Sequence, residues 1–547
     1  TEAKLWIGYI DTLIKSGKPT EAKKILDLAK SKGASGKEFY KLDFQIRLME
    51  IRTSKAGNAI GIDPPMEFQN EIRNAYLDED YETVVWMSEK LFAFYPKCKA
   101  LLNTQGQASV HLGNYAAAIR SFGMALDLDP KSPEMLNNLG HAHYKMGDND
   151  KAIEVLKKAL RKKPNYSIAL NNLGIALDKK GALIQAKKYY QKAINSDLKN
   201  TQAYNNLAVS MSNCGQIDEA KRNYKRTLEL DPCQVASFCN LQSLIIQSSE
   251  QENAKVSADL DFLQSRDEFK MHVLSHPKSC SLEALRLFIT GDFKRCLQKV
   301  NLFHQMDSNL INKNLEPKDR RFCINYNRFI RALALEGYKY NNSADKKVFH
   351  LGESHCLSYA HRIIDIDNLS FQIVPKICFG VKAFHLGKKG NNIYKTVIKN
   401  HLHSIPRKSN VFVSIGEIDC RIDEGILEAA KKYNTSLKPL VIETVSGYLK
   451  WIRSINKSLQ HRIFLLNVPA PVYSTGIRDG LNEKRAEVVQ LFNEAMAQEG
   501  AANKVNIVDV YGLSKGERGF SNMLFHIDNY HLGPKALTHL QKQCAEK

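Results

Sequence analysis

The sequence predicts an α-helical solenoid followed by an α/β domain built on a parallel sheet. Two observations carry this. A 34-residue period runs through the middle of the first half, and after residue 345 short apolar, β-rich runs alternate with amphipathic helical stretches. A third agrees with them: 547 residues exceed what one hydrophobic core supports, so several domains are expected.

The period comes first. Leu139, Leu173 and Leu207 recur every 34 residues, as do Gly140, Gly174 and Ala208. Ala118, Ala152, Ala186 and Ala220 form a small-residue column, and Phe122, Leu156, Tyr190 and Tyr224 a large apolar one. Pro130, Pro164 and Pro232 close three of the units, with Leu198 in the remaining place. Small residues let two antiparallel helices approach closely, large ones fill the space between hairpins, and proline cannot continue a helical hydrogen-bond ladder. The pattern resembles the tetratricopeptide repeat (TPR), with clear units at 99–132, 133–166, 167–200 and 201–234.

Weaker signals flank these units. Residues 65–98 keep the closing Pro96, residues 3–36 keep Ala22, Leu26 and Ala29, and residues 282–310 read as one more hairpin with a Gly-Asp turn. Atypical terminal units are expected, because they meet solvent or another domain. The expected division is therefore degenerate TPR-like helices over 1–64, a TPR array over 65–268, a further hairpin and linker over 269–345, and the α/β domain over 346–547.

Asparagine pairs recur on the first helix of the good units, at Asn137-Asn138, Asn171-Asn172 and Asn205-Asn206. Side-chain amides both donate and accept, so a stack of them can hold an extended peptide backbone without reading its sequence. The array is similar to the asparagine-lined TPRs of protein O-GlcNAc transferases. That resemblance implies a protein or extended-peptide partner on the concave face, at Asn138, Asn172 and Asn206. The competing reading is that N-N-L-G is common among TPRs and specifies no ligand. A glycosyltransferase activity is not expected, since the C-terminal segment is short for two nucleotide-sugar domains and lacks a G-x-G-x-x-G loop.

Composition narrows the function classes. The formal charge is +20, of which residues 341–547 contribute +9 from 28 Lys+Arg and 19 Asp+Glu. The excess is diffuse, with no arginine-rich stripe or aromatic-interleaved motif, so no specific nucleic-acid partner is expected. The eleven cysteines contain no C-x-x-C pair, and Cys214, Cys239 and Cys296 lie inside helical patterns. This argues for a reducing, cytoplasmic setting and against a zinc site or disulfide framework. No metal or other cofactor is expected. No apolar run is long enough to span a membrane. The first residues carry neither an initiator Met nor a leader pattern, so the chain reads as trimmed.

In the α/β segment, strands are expected at 348–352, 371–374, 411–415, 462–468 and 505–511, after a loop-like stretch from Tyr338 to Lys347. Ligands in parallel sheets bind beyond the carboxyl ends of the strands. Three segments there look chemical: Gly352-Glu353-Ser354-His355, Gly416-Glu417-Ile418-Asp419-Cys420-Arg421, and Asp528-Asn529-Tyr530-His531.

These segments resemble the blocks of the SGNH (GDSL-type) hydrolase superfamily, whose fold is a three-layer, flavodoxin-like α/β domain. Gly352-Glu353-Ser354 matches its G-D-S block with Glu for Asp, and Asp528 to His531 matches its D-x-x-H block. The resemblance implies a serine-dependent esterase or acyltransferase acting on acyl esters, carbohydrate O-acyl groups among them. It makes Ser354 the nucleophile, His531 the general base and Asp528 its orienting acid. It also implies oxyanion donors from the Ser354 N–H, from a glycine for which Gly380 is the candidate, and from an asparagine in the third block.

That third block departs from G-x-N-D, since Ile418 stands at the asparagine position. Loss of one oxyanion donor typically costs on the order of 10²–10³ in turnover. Gly416 and Glu417 flank the altered position, and Arg421 is a candidate cationic donor, either to the oxyanion or to an anionic substrate group. Glu417 suits an oxyanion poorly, because like charges repel. Three readings therefore stay open: an active serine enzyme, a scaffold whose SGNH-like domain has lost activity, and an α/β fold using Arg421 for other chemistry. His355 is expected to point away from the nucleophile, His401 and His403 to be solvated, and His526 to line the cleft. Lys388 and Lys389 read as a solvated turn.

Overall fold

The computed structural model describes residues 2–54, 63–248, 275–308, 311–312, 315–337, 344–475 and 480–545. Parts of the expected array (249–268), hairpin (309–310) and linker loop (338–343) lie outside these residues. The chain divides into two compact units, Thr1–Asn200 and Thr201–Lys547. The division falls between the third and fourth clear repeats.

The first unit consists of helical hairpins. Its three clear repeats are Lys99–His111 with Tyr115–Leu128, Pro133–Met146 with Asn149–Lys162, and Ser167–Lys179 with Leu183–Ser196. The small and large columns meet within each hairpin. A Cβ on Gly106, Gly140 or Gly174 would lie 2.5, 2.6 and 2.6 Å from Phe122, Leu156 and Tyr190, so only a glycine lets these rings and branches lie against the first helix. Four further glycines share the period. Gly113, Gly147, Gly181 and Gly215 all have positive φ, between +73° and +94°. They end the first helix of each repeat in the left-handed turn that glycine adopts without steric penalty. Asn114 and Asp148 then cap the following helices by accepting the N–H groups of Ala117 and Lys151. Before the clear repeats, Glu2–Lys15, Pro19–Ser31 and Lys37–Ser54 bury Ile10, Ala22, Leu26, Ala29 and Ile46 in a core of their own.

The second unit starts with the fourth repeat, Thr201–Asn213 and Ile217–Leu230, followed by Val235–Ile246, the hairpin Pro277–Ile289 and Phe293–Gln305, and the helix Pro317–Gly337. The sheet comes next: β1 (Lys346–Gly352), β2 (Ile363–Ile366), β3 (Leu369–Ile377), β4 (Asn410–Ser414), β5 (Arg462–Leu466) and β6 (Asn506–Val508). Their order is β2-β3-β1-β4-β5-β6. All neighbouring pairs are parallel except β2 with β3.

The edge strand β2 was not expected from the sequence. It forms because Asp367 and Asn368, with φ of 50° and 61°, make the two-residue left-handed turn that matches strand twist. β1 begins at Lys346, inside the expected loop. β6 is shorter than its apolar run, because Asp509 ends it by capping Val510–Ser514 through the Gly512 N–H.

Both faces of the sheet are covered. Val411, Val413 and Leu465 pack with Val445, Tyr448, Leu449, Val488 and Phe492 on one side. Phe412, Phe464 and Leu466 pack with Leu532, Ala536 and Leu540 on the other. The alternation is the period-two signature of a strand buried on both faces. The first of these cores also contains Phe238, Leu241, Leu244 and Ile245 of the helix after the fourth repeat. Repeat helices and sheet therefore share one hydrophobic interior in the second unit.

Candidate active site

β1 runs straight into the site. Gly352 has φ +155°, and a Cβ there would lie 2.2 Å from the Ser414 carbonyl, so β1 and β4 approach closely only because the residue is glycine. The next residues form a short turn, Ser354–Leu357, in which Ser354 is buried. The Asp528–His531 loop reaches the same point from the far end of the chain. Ser354 Oγ lies 2.7 Å from His531 Nε2, and His531 Nδ1 lies 2.7 Å from Asp528 Oδ2. The other oxygen of Asp528 accepts the N–H groups of Tyr530 and His531 at 2.8 and 2.7 Å. Burial opposes the charge on Asp528, but His531 and these N–H groups prevail and hold its carboxyl down to about 2. An ionised carboxylate thus fixes the imidazole with one nitrogen toward the serine, an arrangement that can remove a hydroxyl proton.

His531 is walled in by rings. Phe329 stacks on it with centroids 4.0 Å apart and planes 17° from parallel, and His355 lies 4.8 Å away. The expectation for His355 is corrected here. The turn after Glu353 is too tight for ordinary helical direction, and His355 Nε2 faces the Tyr530 carbonyl at 2.9 Å. Burial first, then the neighbouring His531, push its imidazole down to about 4, so it is neutral and ties the nucleophile turn to the histidine loop.

The backbone donors are placed differently from the expectation. The N–H of Gly380 donates to Glu353 Oε1, and the N–H of Ser354 donates to Glu353 Oε2 at 3.2 Å. Gly380 is thus next to the nucleophile, but its N–H is occupied by a carboxylate from the same turn. Glutamate's extra methylene, where the resembled block has aspartate, lets the group span both donors. Burial, only partly offset by Arg421 and the N–H groups, pushes Glu353 up to about 7.

A carboxyl raised on folding contributes most at low pH, and that contribution is lost as pH rises through the folded value. Between its ordinary value of 4.5 and about 7, Glu353 therefore makes stability fall with rising pH. Buried Asp419, also raised to about 7, acts in the same direction. Glu353→Gln is expected to flatten that fall, as read by urea unfolding at a series of pH values. An unchanged slope would show that Glu353 is ionised and comfortable where it lies.

The third segment builds structure more than it lines the serine. Gly416, φ +137°, is packed against Phe492. Ile418 is buried, and Asp419 accepts the N–H groups of Ala383 and Phe384 at 2.7 and 3.2 Å. Arg421 does not reach into the site as a free donor. Its Nε donates to Glu417 Oε2 at 2.9 Å and its Nη1 to Glu424 Oε1 at 2.9 Å. The Tyr530 ring lies 5.4 Å from the Arg421 guanidinium and 5.2 Å from that of Arg485. Burial opposes ionisation of Glu417, yet Arg421 and Arg485 hold it down to about 2. These charges brace the loop carrying Asp528 and His531.

Other histidines divide. His401 is buried, with Nε2 3.1 Å from the Ile377 carbonyl, which corrects the solvated expectation. Its helix turns this face onto β3. His403 is exposed as expected. His526 Nδ1 meets the Ser521 hydroxyl at 2.8 Å and supports the loop. Lys388 and Lys389 are exposed.

In the first unit the asparagines form a ladder along the array. Asn138 Nδ2 donates to Asn103 Oδ1 at 2.9 Å, Asn137 to Asn138 at 3.1 Å, and Asn172 to Asn137 at 3.0 Å. These amides spend part of their capacity on one another, which aligns the column. Asn206, in the second unit, is partly buried. One residue at the site had no local sequence signal: Phe329, stacked on His531, belongs to helix Pro317–Gly337 before the α/β segment.

Among the described residues, no cluster of His, Cys, Asp or Glu side chains is placed to hold a metal ion. No described helix is long and apolar enough to cross a membrane.

The hairpins with their small and large columns define a helical-repeat protein fused to an α/β unit. The repeats are tetratricopeptide repeats: family models of that description match residues 110–173, 168–200 and 201–230. No curated protein matches the chain. Similar solved structures include MamA at 24% identity, covering 29% of this chain and 93% of that one with a TM-score of 0.26. TTC0263, a thermophilic TPR protein in Thermus thermophilus, has 20% identity, coverages of 33% and 99%, and a TM-score of 0.31. YrrB, described as a TPR protein with an unusual peptide-binding site, has 17% identity, coverages of 31% and 88%, and a TM-score of 0.26.

Proposed function

We propose that the second unit is a serine-dependent acyl ester hydrolase or acyltransferase of the SGNH type, and that the TPR repeats hold its protein or peptide partner. The observation that carries the reading is the relay from Ser354 Oγ through His531 to Asp528, with both contacts at 2.7 Å. The parallel strands, taken in chain order, run 2-1-3-4-5, the flavodoxin-like order. Ser354 sits at the carboxyl end of β1, where such sheets bind ligands.

In this reaction Ser354 Oγ attacks the ester carbonyl carbon while its proton passes to His531 Nε2. The carbonyl electron pair moves onto oxygen, then returns to expel the leaving alcohol, which takes the proton from His531. Water, or an acceptor hydroxyl such as a sugar alcohol, attacks the acyl-serine with His531 again as base and releases the acyl group. Asp528 stays ionised and stabilises the transient imidazolium. The Glu353 carboxylate must leave the N–H groups of Ser354 and Gly380 for them to face the oxyanion.

The test is turnover of p-nitrophenyl acetate together with labelling by a fluorophosphonate. Labelling at Ser354 and turnover that disappears in Ser354→Ala support the reading. Neither signal in the wild type would favour the second reading, a TPR scaffold with an inactive SGNH-like domain. The occupied backbone donors and Ile418 are the observations behind that alternative.

A further inference from the structure

Ser354 and His531 lie 177 positions apart, yet one element from outside the α/β segment touches the surroundings of both. Helix Pro317–Gly337 buries Phe329, Ile330 and Leu333 in a core with Leu285 and Phe288 of the preceding hairpin. Cys356 and Leu357, which follow the nucleophile in its own turn, belong to the same core. The helix is thereby seated on the turn that carries Ser354. From that seat Phe329, 3% exposed, presents its ring to His531 with centroids 4.0 Å apart and planes 17° from parallel.

The stack supplies what the hydrogen bonds of the relay lack. The torsion that turns an imidazole is soft, with broad wells rather than sharply staggered ones. Asp528 meets Nδ1 and Ser354 meets Nε2, each at 2.7 Å, and ring nitrogens donate and accept within the ring plane. Those contacts therefore resist motion in the plane better than tilting out of it. A flat face at 4.0 Å blocks the tilt toward it. His355, 4.8 Å away with its plane at 44°, sets a second ring against the same imidazole. The aromatic face also suits the charge that forms. When Nε2 takes the serine proton, the imidazolium faces a π surface, which attracts a cation within about 6 Å of the ring centroid. An aliphatic side chain would bury that cation without the attraction.

We propose that Phe329 is a positioning residue for His531, and that the catalytic unit therefore begins with helix Pro317–Gly337 rather than at residue 346. The inference rests on the serine-enzyme reading above. Phe329 touches no reacting atom. It holds the base in the orientation that keeps Nε2 on Ser354 Oγ before and after the proton moves.

The test uses the full chain and compares wild type, Ser354→Ala, Phe329→Leu, Phe329→Tyr and Ile330→Ala on p-nitrophenyl acetate. Phe329→Leu keeps an apolar side chain and removes the flat face. Its kcat is expected to fall roughly 10–10²-fold with KM nearly unchanged, the scale of a catalytic group displaced by about 1 Å. Fluorophosphonate labelling of Ser354 is expected to slow by a similar factor, since it needs the same base. Phe329→Tyr retains the face and is expected to keep kcat near wild type. Ile330→Ala empties the same core beside Phe329, so it is expected to lower the urea midpoint while leaving kcat near wild type. Wild-type kcat and labelling rate in Phe329→Leu, with turnover still dependent on Ser354, would overturn this inference and leave the serine-enzyme reading standing. Equal falls in kcat for Phe329→Leu and Ile330→Ala would overturn it too, because core stability alone would then explain both. Wild-type protein without Ser354-dependent turnover or labelling would overturn both readings.

Discussion

Ser354→Ala is expected to lower kcat for an activated ester by a factor on the order of 10⁶, the scale found when a triad nucleophile is removed. In the proposed reaction the reason is covalent. Without the hydroxyl no acyl-enzyme forms, and the residual rate is whatever the pocket donors give to direct attack by water. Asp528→Asn is a sharper probe of the relay. It preserves the shape of the loop but replaces an acceptor with an amide that can donate to His531 Nδ1. The proton then moves to Nε2, the nitrogen 2.7 Å from Ser354 Oγ, and the base is lost. A fall of about 10⁴ is expected. If Ser354→Ala is silent but Asp528→Asn is crippling, the serine is not the nucleophile and the loop serves another chemistry. If both variants retain wild-type turnover, the measured activity comes from elsewhere on the chain.

The second large effect is on stability. Phe122→Ala is expected to destabilise the first unit by about 3–5 kcal/mol, the usual range for emptying a buried aromatic site. Phe122 is 1% exposed and lies where a Cβ on Gly106 would be only 2.5 Å from its ring. In a repeat array stability is a sum of unit and neighbour-interface contributions, so a weak central unit also uncouples those beside it. Urea unfolding followed by helical circular dichroism reads this as an earlier and broader transition. A loss under about 1 kcal/mol would mean that the hairpin collapses around the missing ring and that the large column is not what spaces the helices.

How far the molecule was legible in its sequence depends on the range of each interaction. The repeat could be read because each hairpin is closed by nearby residues. The columns through Gly140 and Leu156, or Gly174 and Tyr190, meet inside one unit and recur in the next. The left-handed glycines from Gly113 to Gly215 carried the same period and could have been read too, from their place between the two helices. The β2–β3 turn was also written locally, in Asp367-Asn368, but its apolar run is short and alternation was too brief to reveal it.

The chemical residues split along the same line. Ser354, Asp528 and His531 were named from the resemblance of two short segments, Gly352-Glu353-Ser354 and Asp528 to His531, to the SGNH blocks. The disposition of Glu353 could not be named. Whether its carboxylate points to solvent or onto the Gly380 N–H depends on β3 lying beside β1, and a one-methylene difference decides its reach. Arg421 looked like a free cation in sequence and is instead shared between Glu417 and Glu424, since burial makes an unpaired guanidinium costly.

By itself, the sequence determined the repeat register and the parallel-sheet class through periodicity, and a resemblance over short segments pointed to Ser354, Asp528 and His531. Only the tertiary structure decided that Ser354 and His531, 177 positions apart, stand 2.7 Å from one another, and that Phe329 stacks on His531 from a preceding helix. Those contacts arise because the repeat helices and the sheet of the second unit bury their apolar faces in one shared core, and no local pattern records which distant surface a helix will cover.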